Sequence, residues 1–287
     1  MGQQRRKADE PVTILAIADE ERPALTIPGG VDFGPGNRPD LLLSAGDLDF
    51  RYVTAVADAV DVPCVMVPGN HDPSLEGFTL TPVGWVRAGR HDRWPGPAGA
   101  WAADRDIVDV AGLRIAGLGG CARYSSGPNQ WTDAQARRRA RRVLRKARRG
   151  RRNGGVDVLL THAPGTPGAA AAHGDGADPA HRALPAVDML VDALRPALHL
   201  HGHIHLHGAD RRVFSLPSDD EAHAAAGTTT SNTTTGTTAS GTAPHPAPGP
   251  PPGTQPRTLV VNTVGWTLTR IHPPRTTPRA ELILKGR

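Results

Sequence analysis

Residues 65–72 read VMVPGNHD, an apolar run that stops at Pro68-Gly69 and then presents an amide, an imidazole and a carboxyl in consecutive positions. The same construction recurs along the chain. VTILAIA (12–18) closes on Asp19, and LLLSAGD (41–47) closes on Asp47. VDVLLTH (156–162) closes on His162, and LHLHGHIH (198–205) closes on His203 and His205. Short apolar runs bounded by turn residues read as buried strands. Five such strands delivering oxygen and nitrogen ligands from their C-terminal ends point to a metal site.

Outward from these runs, β and α signals alternate as an α/β fold requires. Strands are expected at 12–18, 40–45, 63–68, 156–161 and 197–201, with a short helix over 51–60 and another over 185–194 that stops before Pro196. DIVDVAGLRIAGL (106–118) reads as a hairpin turning at Ala111-Gly112. Thr132 is placed to N-cap a helix over 133–149. Closing strands follow at 211–216, 258–262 and 266–271, while 77–101 shows no readable pattern. Residues 1–10 are expected to be disordered, leaving one domain over 11–287. Within it, 218–257 is rich in Thr and Pro and almost without large apolar residues, so a disordered insertion joining two strands of one hairpin is expected.

Composition narrows the class. No apolar run approaches the roughly 18 residues needed to span a bilayer, and MGQQRRKADE has no apolar stretch of signal-peptide type behind it. With only Cys64 and Cys121, reduced thiols and a cytoplasmic location are expected. The formal net charge of +5 is misleading, because residues 137–152 hold 11 basic residues and no acidic one. Without them, 22 basic residues face 28 acidic ones. Val143 and Leu144 are the only large apolar residues in that run, which suggests a helix with arginines on all faces and no clean apolar stripe.

The ligand types suit phosphate chemistry. Two divalent ions neutralise phosphoryl oxygens and supply a nucleophile at neutral pH, and a carboxylate is suited to bridge them. Asp47, after a glycine that permits a sharp turn, is the natural bridge. Asp19 and His205 would hold the first ion, and Asn70, His162 and His203 the second. The two-residue spacing of His203 and His205 sends both rings to one side of an extended turn.

In this order and spacing, Asp19, Gly46-Asp47, Gly69-Asn70-His71-Asp72, His162 and Gly202-His203-Ile204-His205 resemble the calcineurin-like metallophosphoesterase superfamily. The stretch GLGGCARYSSGPNQWTDAQ (117–135) with THAPG (161–165) further resembles a bacterial subgroup of it. The resemblance implies a four-layer α/β/β/α sandwich of two mixed sheets, with the metals at strand C-termini. It also implies that His71 assists the leaving group, with Asp72 able to orient its ring, while a metal-bridging hydroxide attacks phosphorus. One departure stands out: the family's first motif is Asp-x-His, and here it is Asp19-Glu20-Glu21. Either Glu20 or Glu21 substitutes as an oxygen ligand, or the first ion binds weakly, or catalysis is poor. A carboxylate there favours a harder ion such as Mn²⁺ or Mg²⁺ over Zn²⁺; two divalent ions are expected, Mn²⁺ first, with Fe, Mg²⁺ and Zn²⁺ as alternatives.

The resemblance also suggests His181 as a substrate-facing residue. Arg123 and Tyr124, behind the Gly119-Gly120 turn, are candidates for phosphate or base contact, weighed against a surface role. His173 and Asp175 are weaker candidates, and His199, His201 and His207 are expected in the sheet or at the surface. The leading expectation is a metal-dependent hydrolase of phosphomonoesters or phosphodiesters. Two alternatives remain: a nuclease or nucleic-acid-binding variant using the Arg137–Arg152 helix, and a non-catalytic metal-binding regulator. Nucleic acid is a less favoured partner than a small phosphate ester, and oligomeric state is not legible.

Overall fold

In VTILAIA every residue is buried, so the two sets of alternating side chains must enter two different cores. The computed structural model describes residues 10–149, 155–173, 178–205, 213–216, 258–272 and 279–286. In it β1 (Val12–Ala18), β2 (Leu41–Ser44) and β3 (Cys64–Met66) run parallel, with helix α1 (Phe50–Val60) between the last two in sequence. Residues 77–101, unreadable in sequence, hold β4 (Phe78–Thr81), β5 (Gly84–Arg87) and β6 (Arg90–His91) as a small antiparallel sheet. Its strands are half exposed, with Leu80 and Val83 open to solvent, so no buried face patterns them. Instead Trp85 stacks on Trp94 at 4.1 Å and Phe78 meets the same ring edge-on.

β7 (Trp101–Ala102) joins the edge of the first sheet beside β3. β8 (Ile107–Val110) and β9 (Leu113–Leu118) form the expected hairpin, and Ala111 and Gly112 both take positive φ, 49° and 75°. Two short strands, β10 (Cys121–Ala122) and β11 (Gln130–Trp131), pair parallel before helix α2 (Asp133–Arg149). Thr132 caps α2 reciprocally: its hydroxyl accepts from the Gln135 amide at 3.3 Å, and the Gln135 side chain accepts from the Thr132 amide at 2.9 Å. Such a box is worth about 1 kcal/mol.

β12 (Val158–Thr161), α3 (Thr166–His173), α4 (Pro185–Leu194) and β13 (Leu198–His201) follow. β14 (Val213–Leu216) and β15 (Thr258–Asn262) pair antiparallel, so the expected 218–257 insertion lies between partners in one hairpin. The insertion itself and the expected N-terminal disorder over 1–9 lie outside the described residues. β16 (Gly265–His272) returns to β1, and β17 (Arg279–Gly286), unread in sequence, pairs antiparallel with β16.

Two six-stranded mixed sheets result, ordered β17-β16-β1-β2-β3-β7 and β14-β15-β13-β12-β9-β8. Ile14, Ala16, Leu41, Leu43 and Val65 of the first meet Ile115, Val158, Leu160, Leu198 and Leu200 of the second. The alternate residues Leu15, Ile17 and Leu42 turn outward onto Tyr52, Val53 and Val56 of α1. Those of the second sheet, Leu118 and Leu159, turn onto α2 and α4. This is the four-layer α/β/β/α arrangement.

The arginine-rich helix corrects one expectation. Ala136, Arg139, Ala140 and Val143 of α2 are buried, with Leu144 and Ala147 partly so. Small alanines supply the stripe that a search for large apolar residues overlooks. Arg139 enters the protein, its guanidinium 3.7 Å above the Trp131 ring and paired with Asp104 at 2.5 Å and with Glu76. Among the described residues no helix is long and apolar enough to cross a membrane.

Candidate metal centre

Parallel strands bring their carboxyl ends to one edge of each sheet, and the loops leaving those ends meet there. The turns are tight. Asp19, Asp47 and His203 have φ of 62°, 56° and 71°, in the left-handed region that costs a non-glycine residue about 1 kcal/mol or more. Gly46 allows the second of these turns: a Cβ on it would stand 2.2 Å from the Gly69 amide nitrogen. The loops after β2 and β3 therefore touch backbone to backbone. Likewise a Cβ on Gly202 would stand 2.3 Å from Asp19 Oδ2.

Ligand atoms of Asp47, His162 and His203 lie within 4.8 Å of one another. His162 is fully buried, and its Nδ1 donates to the Ala45 carbonyl at 2.7 Å. That leaves Nε2 beside Asn70 Oδ1 at 2.9 Å and Asp47 Oδ2 at 3.3 Å. His203 Nε2 donates to the Ala180 carbonyl at 2.8 Å, so the lone pair of the neutral ring is on Nδ1. In each imidazole one nitrogen is fixed by a backbone carbonyl, the arrangement by which proteins orient metal-binding histidines. Two imidazoles, a carboxylate and a carboxamide suit Mn²⁺, Fe²⁺ or Zn²⁺. The residues fit a divalent ion.

Without an ion the charges balance internally. Burial works against protonated His162, but the hydrogen bond and charge of Asp47, helped by Asp19, outweigh it and lift the ring to about 9. Burial pushes Asp47 up, yet the His162 hydrogen bond and charge hold its carboxyl below the usual range. Burial, reinforced by the charge of His162, drives His203 down to about 3 and keeps it neutral.

The Asp19 side is looser. Asp19 is buried and accepts from the His203 amide with both oxygens, at 2.9 and 3.1 Å. Burial holds its carboxyl above the usual range, against the pull of His162. His205 is 48% exposed, with Nε2 3.9 Å from Asp19 Oδ1 and Nδ1 3.4 Å from Glu20 Oε1. The other oxygen of Glu20 is paired with Arg22. Glu21 instead accepts from the Asp49 amide at the start of α1. Of the two glutamates, Glu20 is the one beside His205.

His71 stands on the rim, 77% exposed, with Nε2 4.0 Å from Asp47 Oδ2. Its amide donates to Asp47 Oδ1 at 2.8 Å. Asp72 does not orient the His71 ring as the motif suggested. Its Oδ2 accepts from the Asp47 and Gly69 amides at 2.9 and 2.7 Å, which locks the two loops together. A cavity of about 220 Å³ opens above the ligands, lined also by Tyr124, Ala180 and His181. Arg123 is exposed and donates to the Gln130 carbonyl at 3.3 Å, away from the cavity wall. His181 Nδ1 is 2.9 Å from Asp178 Oδ2.

Sequence reasoning missed Asn129. Its buried Nδ2 donates to the Gly69 and Asp72 carbonyls at 2.8 and 2.9 Å, clamping the GNHD loop from below. Beside it, Gln130 Oε1 accepts from the Tyr124 and Ser125 amides. The Tyr124 hydroxyl in turn accepts from Asn70 Nδ2 at 3.1 Å, leaving Oδ1 toward His162. The signal is present in the motif-like segment 117–135, where Asn129 bears on the loop's backbone and Tyr124 on the Asn70 side chain. His199 and His201 are buried in β13, His199 on the Thr161 hydroxyl, while His207 and Asp175 lie outside the described residues. Cys121 is fully buried, and burial pushes its thiol up to about 12.

A family model described as calcineurin-like phosphoesterase matches residues 25–207. The chain belongs to this family. The matched span takes in Asp47, Asn70, His71, His162, His203 and His205 of this phosphoesterase and leaves Asp19 just outside. No curated protein matches the chain. Among solved structures, TT1561 of Thermus thermophilus is 13% identical, with 96% of this chain and 100% of that one covered at a TM-score of 0.47. Another crystal structure is 14% identical with the same coverage and a TM-score of 0.48.

Proposed function

We propose that this calcineurin-like phosphoesterase hydrolyses a phosphate monoester or diester, with His71 as proton donor to the leaving oxygen. The convergence of Asp47, His162 and His203 ligand atoms within 4.8 Å, beneath a cavity with His71 on its rim, carries this reading. Asp47, Asn70, His162 and His203 would hold one divalent ion, and Asp19 and His205, with Glu20 adjacent, a second. Divalent ions there supply positive charge against phosphoryl oxygens and make water acidic enough to attack at neutral pH.

The chain's own residues supply the rest. Ala45 and Ala180 carbonyls fix the tautomers of His162 and His203, so neither ring must turn before binding. Tyr124 fixes the Asn70 amide. His71 is free of side-chain partners closer than Asp47 and solvated, which suits a group that takes a proton from water and gives it to an alkoxide. At about 220 Å³ the cavity is small against ligand pockets of about 300 Å³ and more, which suits a phosphoryl group better than a large substrate.

Hydrolysis of bis-p-nitrophenyl and p-nitrophenyl phosphate with Mn²⁺ tests the proposal. Asp47→Ala should abolish turnover, and His71→Ala should lower kcat by about 10²-fold or more while leaving metal content intact. Equal rates for wild type and both variants would sink it.

A further inference from the structure

Helix α2 sorts its basic residues by partner. Those that turn inward are neutralised: Arg139 by Asp104 and Glu76, and Lys146 by Asp106. Those that turn outward are not. Arg137, Arg138, Arg141, Arg142 and Arg145, with Arg148 and Arg149 a turn beyond, are all exposed. Among the described residues none of them makes an ion pair. At about 100° per residue these seven fall within an arc of about 140°, and the buried stripe of Ala136, Ala140 and Val143 fills the opposite side. Like charges three and four positions apart repel, so the face carries a standing electrostatic cost that a polyanion relieves.

We propose that this face binds the phosphate backbone of a nucleic-acid duplex, without reading its bases. Charge complementarity selects a polyanion, and three details select the kind. The helix spends its apolar side on α4 and β9, and no large apolar residue is exposed on the outer face, so nothing is left to enter a lipid surface. The helix carries no aromatic residue, and the neighbouring Trp131 is covered by Arg139, so there is no platform on which unpaired bases stack. From Arg137 to Arg149 the helix rises about 18 Å, a length over which one strand of a duplex presents about five phosphates. The proposal does not rest on the phosphoesterase reading, because the face shares no residue with the metal centre.

Binding of the full chain to a short mixed-sequence DNA duplex, measured in excess chelator, keeps the metal centre out of the readout. With about five phosphates engaged, affinity should fall roughly 500-fold between about 50 and 200 mM salt. Replacing Arg137, Arg138, Arg141, Arg142 and Arg145 together by Gln should remove nearly all binding and flatten the salt dependence, and replacement by Lys should keep both. Should the fivefold Gln variant fail to fold, Arg141→Gln with Arg145→Gln reads the same effect as a slope shallower by about two. The inference is overturned by a wild type that shows no salt-dependent duplex binding, by Gln variants that bind as wild type does, or by binding to phosphatidylglycerol vesicles without binding to duplex.

Discussion

The two halves of the ligand cluster are built to different standards. On one side Asp47, Asn70, His162 and His203 are wholly or nearly buried, and each ring has a backbone carbonyl to hold it. On the other, Asp19 is equally buried, but its partner His205 is half exposed and lies against Glu20, which is shared with Arg22. On the proposed reading the first half would take an ion without moving either ring. The second would also have to rearrange side chains, and the entropy and ion-pair cost of doing so would be subtracted from its affinity. Preorganisation, more than the inventory of ligands, separates them.

Removing one imidazole from each half gives the largest contrast. His162→Ala should lower the affinity of the tighter metal by more than about 10²-fold, beyond the 10- to 100-fold cost of losing an outer-shell partner. His205→Ala should leave that ion in place and lose only the weaker one. Elemental analysis after dialysis at graded metal concentrations checks both, and equal losses would erase the distinction between the halves.

Asn129 probes why the first half is rigid. Asn129→Ala leaves the Gly69 and Asp72 carbonyls without their buried donor, a cost of about 1–3 kcal/mol in stability. It should also weaken the tighter metal by about tenfold, since the loop carrying Asn70 loses its clamp. Chemical denaturation and metal titration read the two effects separately. A variant as stable as wild type with unchanged affinity would leave the clamp without a role.

The smallest effect sharpens the second half. Arg22→Ala frees the Glu20 carboxylate beside His205 and should strengthen the weaker ion a few-fold, the scale of a partly exposed ion pair of up to about 1 kcal/mol. Glu20→Gln should weaken it by a similar factor, whereas Glu21→Gln should not, because the Glu21 carboxylate accepts from the Asp49 amide instead. If Glu21→Gln had the larger effect, the assignment of the nearer glutamate would be wrong.

Much of this was legible in the chain because buried strands are continuous apolar runs, and a ligand that ends such a run is delivered to the sheet edge. Asp47, Asn70, His162 and His203 follow from that rule alone. The small sheet over 78–91 was not legible, because an exposed sheet held by Trp85 and Trp94 has no hydrophobic alternation to reveal it. The docking stripe of α2 was hidden for a related reason: alanines bury against α4 as well as larger residues do, yet carry little weight in a hydropathy reading.

By itself, then, the sequence determined the alternation of strands and helices, the residues at the strand ends and the absence of His from the first motif, all properties of short segments. The tertiary structure alone decided which glutamate lies beside His205, that Asp72 and Asn129 lock the loops, that Arg123 leaves the cavity to Tyr124, and which arginines of α2 are left unpaired. Each of these depends on contacts between residues tens of positions apart. No local propensity encodes such contacts, because only the packing of two sheets and their helices fixes the distance across which a carboxylate finds an amide or a guanidinium.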